Sequence, residues 1–112
     1  MPGKEDGLIA VQLAQWATEL GVMQAALTVL AEDFDPASAS SSDAAVTPLL
    51  EFGETVGTLT KHGLLDTELV RDLWWFDGIW QRVAPAAQKD RDRFGESGLW
   101  TNFEALASPP ST

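Results

Sequence analysis

The run Glu51–Leu69, EFGETVGTLTKHGLLDTEL, holds a helix, its stop signal, a corner and the start of the next helix. Leu49, Phe52, Val56 and Leu59 recur at steps of three and four, which places them on one helical face. Thr47-Pro48 fits an N-cap followed by the first helical position, and Asp43 is the competing start. The helix is therefore predicted from 44 or 47 to 62. Gly53 and Gly57 stand four apart on one side of it. Each costs about 1 kcal/mol relative to alanine in a helix, so the pair predicts the close approach of a neighbouring backbone. It is not a membrane dimer motif, because no apolar span surrounds it. Lys61 and His62 suit the negative helix end, and Gly63 suits the position after it. Leu64 and Leu65 then pack in a tight corner. Asp66 caps the next helix, with Glu68 in its first turn.

Upstream, EDFDPASASSSD (32–43) reads as a flexible linker, rich in serine and acid and broken by Pro36. Before it, Ile9, Leu13, Trp16, Leu20, Met23, Leu27 and Leu30 form one apolar stripe. A helix over 8–31 is predicted, about 36 Å long if continuous, with Asp6 as N-cap and Gly21 as a candidate bend. The stripe serves as a bundle face or as a coiled-coil seam.

Downstream, DLWWFDGIW (72–80) concentrates three of the five tryptophans. On a straight helix Leu69, Leu73, Phe76, Trp80 and Val83 share a stripe, and Trp74 and Trp75 fall on its two flanks. A break at Asp77-Gly78, with Asp77 as a new cap, predicts helices over 66–76 and 78–93. Pro85 kinks or restarts the second. Gly95 ends it, and a short helix over 98–107 uses Trp100, Phe103 and Leu106. Phe76, Trp80 and Phe103 are read as core. One of Trp74 and Trp75 is a surface anchor, unless the last helix folds back and covers it through Trp100. Residues 108–112, SPPST, read as a disordered tail. No period-two run supports a strand.

At 112 residues, 45% apolar and 21% charged, the chain is expected to form one all-α domain over 1–107. Its architecture is an irregular bundle of four main helical segments plus a short C-terminal one. The absence of cysteine excludes disulfides, thiol nucleophiles and cysteine-based metal centres. The formal charge is −10, and residues 1–60 carry one lysine against nine acids. Such a field repels phosphate backbones, so no nucleic-acid partner is expected. The apolar stretch from Leu8 to Ala31 is interrupted by Gln12, Gln15, Glu19 and Gln24, so no membrane insertion is expected. Lys4 is followed at once by Glu5 and Asp6, unlike a secretory leader, and the expected compartment is the cytoplasm.

Laid out in this order, the run EFGETVGTLTKHGLLDTELV, then Trp80, Pro85 and Arg91, then GESGLWTNFEALA, resembles a family of uncharacterised, mostly bacterial proteins known as a domain of unknown function. The pattern is GLLDxEL, then W(x4)P, then NFExLA, over roughly residues 50–107. The resemblance implies a helical fold and brings no catalytic residues. Relatives often carry an N-terminal membrane-spanning helix, which is not found here.

The chemistry tested residue by residue is sparse. His62 is the sole histidine, so a nucleophilic triad would have to use it. GESG (95–98) is not the elbow of a serine hydrolase, and no phosphate-cradling glycine loop occurs. Glu54, Thr58 and His62 line up at steps of four, which makes Glu54 and His62 a candidate ligand or metal pair, two ligands where a helical metal site needs more. Lys89, Arg91 and Arg93 alternate with Asp90 and Asp92 and read as a solvated, self-paired face. Arg82 or Arg91 is expected to stack on a tryptophan. No catalytic set, metal or cofactor is therefore expected. The expected function is a non-enzymatic helical module that meets a protein partner or a second copy through Trp74, Trp75 and Trp100. A homodimer would form through the first helix or the Trp74/Trp75 surface. The alternative is a small-ligand or metal-binding protein with a pocket lined by Trp74, Trp75 and Trp80.

Overall fold

The structure is a computed structural model that describes residues 3–108. Six α-helices follow one another: α1 (Lys4–Leu20), α2 (Val22–Leu30), α3 (Thr47–Lys61), α4 (Thr67–Leu73), α5 (Phe76–Phe94) and α6 (Thr101–Ala107). A 3-10 turn, Pro36–Ser38, lies between α2 and α3. No strand occurs among the described residues, and the chain is all-α. The tail expected at 108–112 lies, from 109 onward, outside the described residues.

The stretch Glu51–Leu69 folds largely as its local signals require, except that of the two leucines expected to pack in the corner Leu65 is buried and Leu64 faces solvent. Of the two starts, α3 takes Thr47, but as its first helical residue and not its cap: the cap position is Val46, without a side-chain cap, and the Asp43 carbonyl receives the N–H groups of Val46 and Thr47 at 2.9 and 3.0 Å. At its far end Gly63 is left-handed, with φ 71°. The Leu64 N–H donates to the Leu59 carbonyl at 2.9 Å and the Gly63 N–H to the Thr60 carbonyl at 3.1 Å, the bond pair of a glycine-terminated helix. Asp66 caps α4 by accepting the Leu69 N–H at 2.9 Å.

Three features differ from expectation for a physical reason, and α6, expected from 98, begins at Thr101. The helix expected over 8–31 is two helices, because Gly21 is left-handed with φ 75°. That residue shifts the phase of the apolar pattern. Leu13 and Ala17 face inward from α1, but on α2 the buried row is Val22, Ala25 and Val29. Met23 and Leu27, expected on the inner stripe, are 74% and 58% exposed. Asp6 is not the N-cap of α1, whose cap position is Gly3. Its carboxylate accepts the Gly3 N–H at 2.8 Å and, across the fold, the Asp66 N–H at 2.9 Å.

The second difference is the break between α4 and α5. It falls at Trp74–Trp75 in place of Asp77-Gly78, so α5 starts at Phe76, two residues before the expected 78. Asp77 is not a cap there; it pairs with Arg71 at 2.9 Å. The earlier break lets the two indoles part. Trp74 turns inward, edge-on to Phe52 at 5.1 Å, and Trp75 turns out. Pro85 neither ends nor restarts α5.

The third is segment 32–43, which was expected as a flexible connection and lies folded against α5. Arg82 donates to the carbonyls of Val29, Ala31 and Phe34 at 2.6, 2.9 and 2.9 Å. Lys89 donates to those of Ala37 and Ala39, both at 2.8 Å. Cations of α5 thus meet backbone acceptors at the end of α2 and in the segment itself. The face expected to pair its own charges does not: Lys89 and Arg91 serve distant carbonyls, and Asp90 is buried.

The core is an aromatic chain. Trp16 packs on Phe52 at 5.6 Å, Phe52 on Phe76 at 6.2 Å, Phe76 on Phe103 at 6.1 Å, and Phe103 on Trp80 at 5.0 Å. It links α1, α3, α5 and α6. Phe76 and Phe103 are buried as expected, whereas Trp80 is half-buried with Arg91 over its ring at 5.8 Å. Of the two arginines expected to stack on tryptophan, Arg91 does so, and Arg82 lies over Phe34.

The Gly3 N–H, and then the Asp66 N–H, hold the Asp6 carboxyl below the ordinary aspartate value. A carboxyl lowered in the folded state stabilises fully above its unfolded value, and the contribution is lost as pH falls through the folded one. Asp6→Asn is expected to lower Tm at neutral pH and to match the parent chain once the pH is below that lowered value. A series of thermal melts from neutral to strongly acidic pH checks this.

Candidate functional site

The candidate ligand pair of α3 is not brought together. Glu54 Oε1 accepts the backbone N–H groups of Asn102 and Phe103, both at 3.0 Å. These are donors of the first turn of α6, which no side chain of its own caps. Glu54 therefore caps α6 from another helix. Thr58, next on the same row, donates to the Glu54 carbonyl at 2.7 Å and accepts from Asn102 Nδ2 at 3.1 Å. His62 ends α3 exposed to solvent. Among the described residues no group of three or more histidine, cysteine or acidic side chains could hold a metal ion.

The same face explains the glycine pair. A Cβ on Gly53 would overlap the Phe103 ring, and one on Gly57 would overlap the Asn102 carbonyl. The close approach expected from the sequence occurs, and its partner is α6. Two arginines hold the ends of the short helix. Arg91 Nε donates to the Leu99 carbonyl at 2.7 Å and its Nη2 pairs with Glu104 at 2.8 Å. Arg71 Nη1 donates to the Leu106 carbonyl.

The three tryptophans expected on an interaction surface have separate fates. Trp100 is half-buried and left-handed, with φ 62°, and its Nε1–H donates to Asp90 Oδ2 at 2.8 Å. Asp90 also accepts the Ser41 hydroxyl at 2.8 Å. Trp100 is thus committed to a buried carboxylate and lines no part of the surface described next. Nothing in the alternating KDRDR pattern distinguishes Asp90 from Asp92; a partner ten residues away and another in the supposed linker make the difference. Trp74 is half-buried in the aromatic core.

Trp75 is 64% exposed. Its indole lies over Gly78, where a Cβ would stand 2.5 Å from two ring atoms. The bare backbone one turn on is what lets the ring lie flat. Trp75 forms one lip of a groove of about 400 Å³ between α1–α2 and the α4–α5 junction. Met23 and Leu27 stand on the opposite wall, with Leu73 beside Trp75, and Leu73 is itself 50% exposed. Thr18 carries the one hydroxyl in the lining, and it donates to the Ala14 carbonyl at 3.0 Å; the other polar side-chain groups there are the indole N–H groups of Trp74 and Trp75. Trp80 does not join Trp74 and Trp75. It lines a separate, shallower depression with Gln81, Pro85 and Arg91. The three-tryptophan pocket of the alternative reading is not assembled. The signal that could have found this groove was the second apolar row, Val22-Ala25-Val29, beside Met23 and Leu27.

Two substitutions test the α3–α6 dock. Glu54→Ala leaves two α6 donors unmet and is expected to cost about 1–2 kcal/mol, the range of a lost N-cap. Gly57→Ala forces a methyl into backbone and is expected to cost about 1–3 kcal/mol, reversing the usual gain of alanine over glycine in a helix. Urea denaturation measures both, and added Zn2+ is expected to leave the parent midpoint unchanged.

Among the described residues no helix is long and apolar enough to cross a membrane. No curated protein and no solved structure matches the chain. One family does, described as a domain of unknown function, DUF4760, and its match covers residues 22–108. The resemblance read over 50–107 therefore extends back to Val22, the residue after the Gly21 break. Gly53, Glu54, Gly57, Asn102 and Phe103, which dock α6 on α3, all lie within the matched range. The chain belongs to the DUF4760 family.

Proposed function

We propose that this protein is a non-enzymatic helical interaction module, and that its working surface is the groove walled by Met23, Leu27, Leu73 and Trp75. The observation that carries the reading is the exposure of these four large apolar side chains around one depression. Scattered apolar residues on a surface need no explanation, but a contiguous group of this kind marks interaction sites. Tryptophan is also enriched among residues that dominate interfaces.

A small-molecule pocket is less well supported. Such pockets combine apolar walls with a few convergent polar groups that orient the ligand. Here the lining offers one hydroxyl, whose proton is already donated, and two indole N–H groups, with no acceptor or charge among its side chains. Its walls are helices, and a partner helix fits them by setting side-chain ridges into the channel.

The test is binding of a neutral amphipathic peptide of leucine and glutamine, about 18 residues or 27 Å long as a helix, close to the length of α1. One-to-one binding is expected, weakened at least about tenfold by Trp75→Gln, a loss of about 1.4 kcal/mol. The variant is expected to keep the parent Tm, because the side chain it removes lies largely outside the core. No binding, or equal binding by the variant, refutes the proposal.

A further inference from the structure

The chemistry of the partner can be read from where the chain keeps its charges. Arg71, Arg82, Lys89 and Arg91 each donate to backbone carbonyls of other segments. Of 17 acidic residues, only Asp77 and Glu104 form ion pairs among the described residues. Four of the seven cations are thus committed to helix ends and loops, whereas most of the acids, buried Asp90 apart, carry no ion pair among the described residues.

The α1–α2 wall of the groove lies in the most acidic part of the sequence, and the one cation the fold brings to its end, Arg82, is half-buried on the carbonyls of Val29, Ala31 and Phe34. Lys4 is the sole cation of residues 1–60, and it stands at the start of α1, more than two turns before the first groove residue, Ala14. The α2 wall carries no charged residue. Flanking the lining residues in sequence are Glu19 after Thr18, Asp72 before Leu73, and Glu32 and Asp33 beyond Leu30. All four are exposed, and none is in an ion pair among the described residues. Arg71, the cation nearest Leu73 in sequence, is bound to Asp77 and the Leu106 carbonyl.

We infer that the occupant of the groove is a cationic amphipathic helix of another protein. Its apolar ridge lies between Met23 and Leu27 on one side and Leu73 and Trp75 on the other, and its lysines or arginines flank Glu19, Asp72, Glu32 and Asp33. This rests on the interaction-module reading and adds the sign of the partner. A second copy of the chain is the wrong occupant on charge grounds, since two bodies of net charge −10 repel.

The experiment repeats the peptide titration with lysine and then glutamate in place of glutamine, and adds a lysine peptide of identical composition but scrambled order. The amphipathic lysine peptide is expected to bind at least about tenfold more tightly than the glutamine peptide, with the advantage shrinking as salt screens exposed charge. The glutamate and scrambled peptides are expected to bind at least about tenfold more weakly than the amphipathic lysine peptide, and Trp75→Gln or the pair Met23→Gln/Leu27→Gln to remove most of its binding. If glutamine and lysine peptides bind alike, the inference about charge fails and the groove reading stands. If the scrambled peptide binds as well as the ordered one and the variants change nothing, the attraction is diffuse and both fail. Sedimentation completes the test: a dimer at micromolar concentration that Trp75→Gln dissociates makes a second copy the occupant and overturns the inference, and a monomer supports it.

Discussion

The packing of seven residues on a pair of glycines organises this molecule. A helix as short as α6 has no stability of its own in water, and its first-turn donors find no cap in their own sequence. Both needs are met by α3. Gly53 and Gly57 remove the side chains that would hold the two helices apart, and Glu54, between them, supplies the missing acceptor. Phe103 is thereby placed in the middle of the aromatic chain, against Phe76 and Trp80. Without that contact the rings of α3 and α5 would face water where α6 now lies.

Much of this was legible, and the division between what was and what was not follows the range of the forces. Most signals that act within a few residues read correctly: the start of α3 at Thr47, Gly63 at its end, Asp66 as a cap, and the glycine pair as a sign of close approach, while Asp6, Thr47 and Asp77 are not the caps expected. The identity of the approaching helix was not legible, because nothing near Glu54 announces a partner 48 residues away. Segment 32–43 misled for the same reason. Its composition is that of a loop, and the groups that hold it, Arg82 and Lys89, lie about fifty residues on.

Periodicity failed where two readings overlapped. Beyond Gly21 the sequence continues one apolar row through Met23 and Leu27 and begins another through Val22, Ala25 and Val29. A left-handed glycine changes phase, and the smaller row turned inward. At the tryptophans the pattern demanded a break but did not say where, and packing chose the peptide between the two indoles. In both places the apolar side chains displaced from the core are those that wall the groove. The error in the fold reading and the location of the candidate site are the same fact.

The relation between Trp75 and Gly78 has a thermodynamic corollary. An exposed indole ordinarily samples several rotamers and forfeits that freedom when something covers it. Here the ring already rests on the backbone of its own helix, in a position that any larger residue at 78 would deny it. Its entropy was given up when the chain folded, so an association that buries the opposite side of the ring starts from a side chain that has little disorder left to lose.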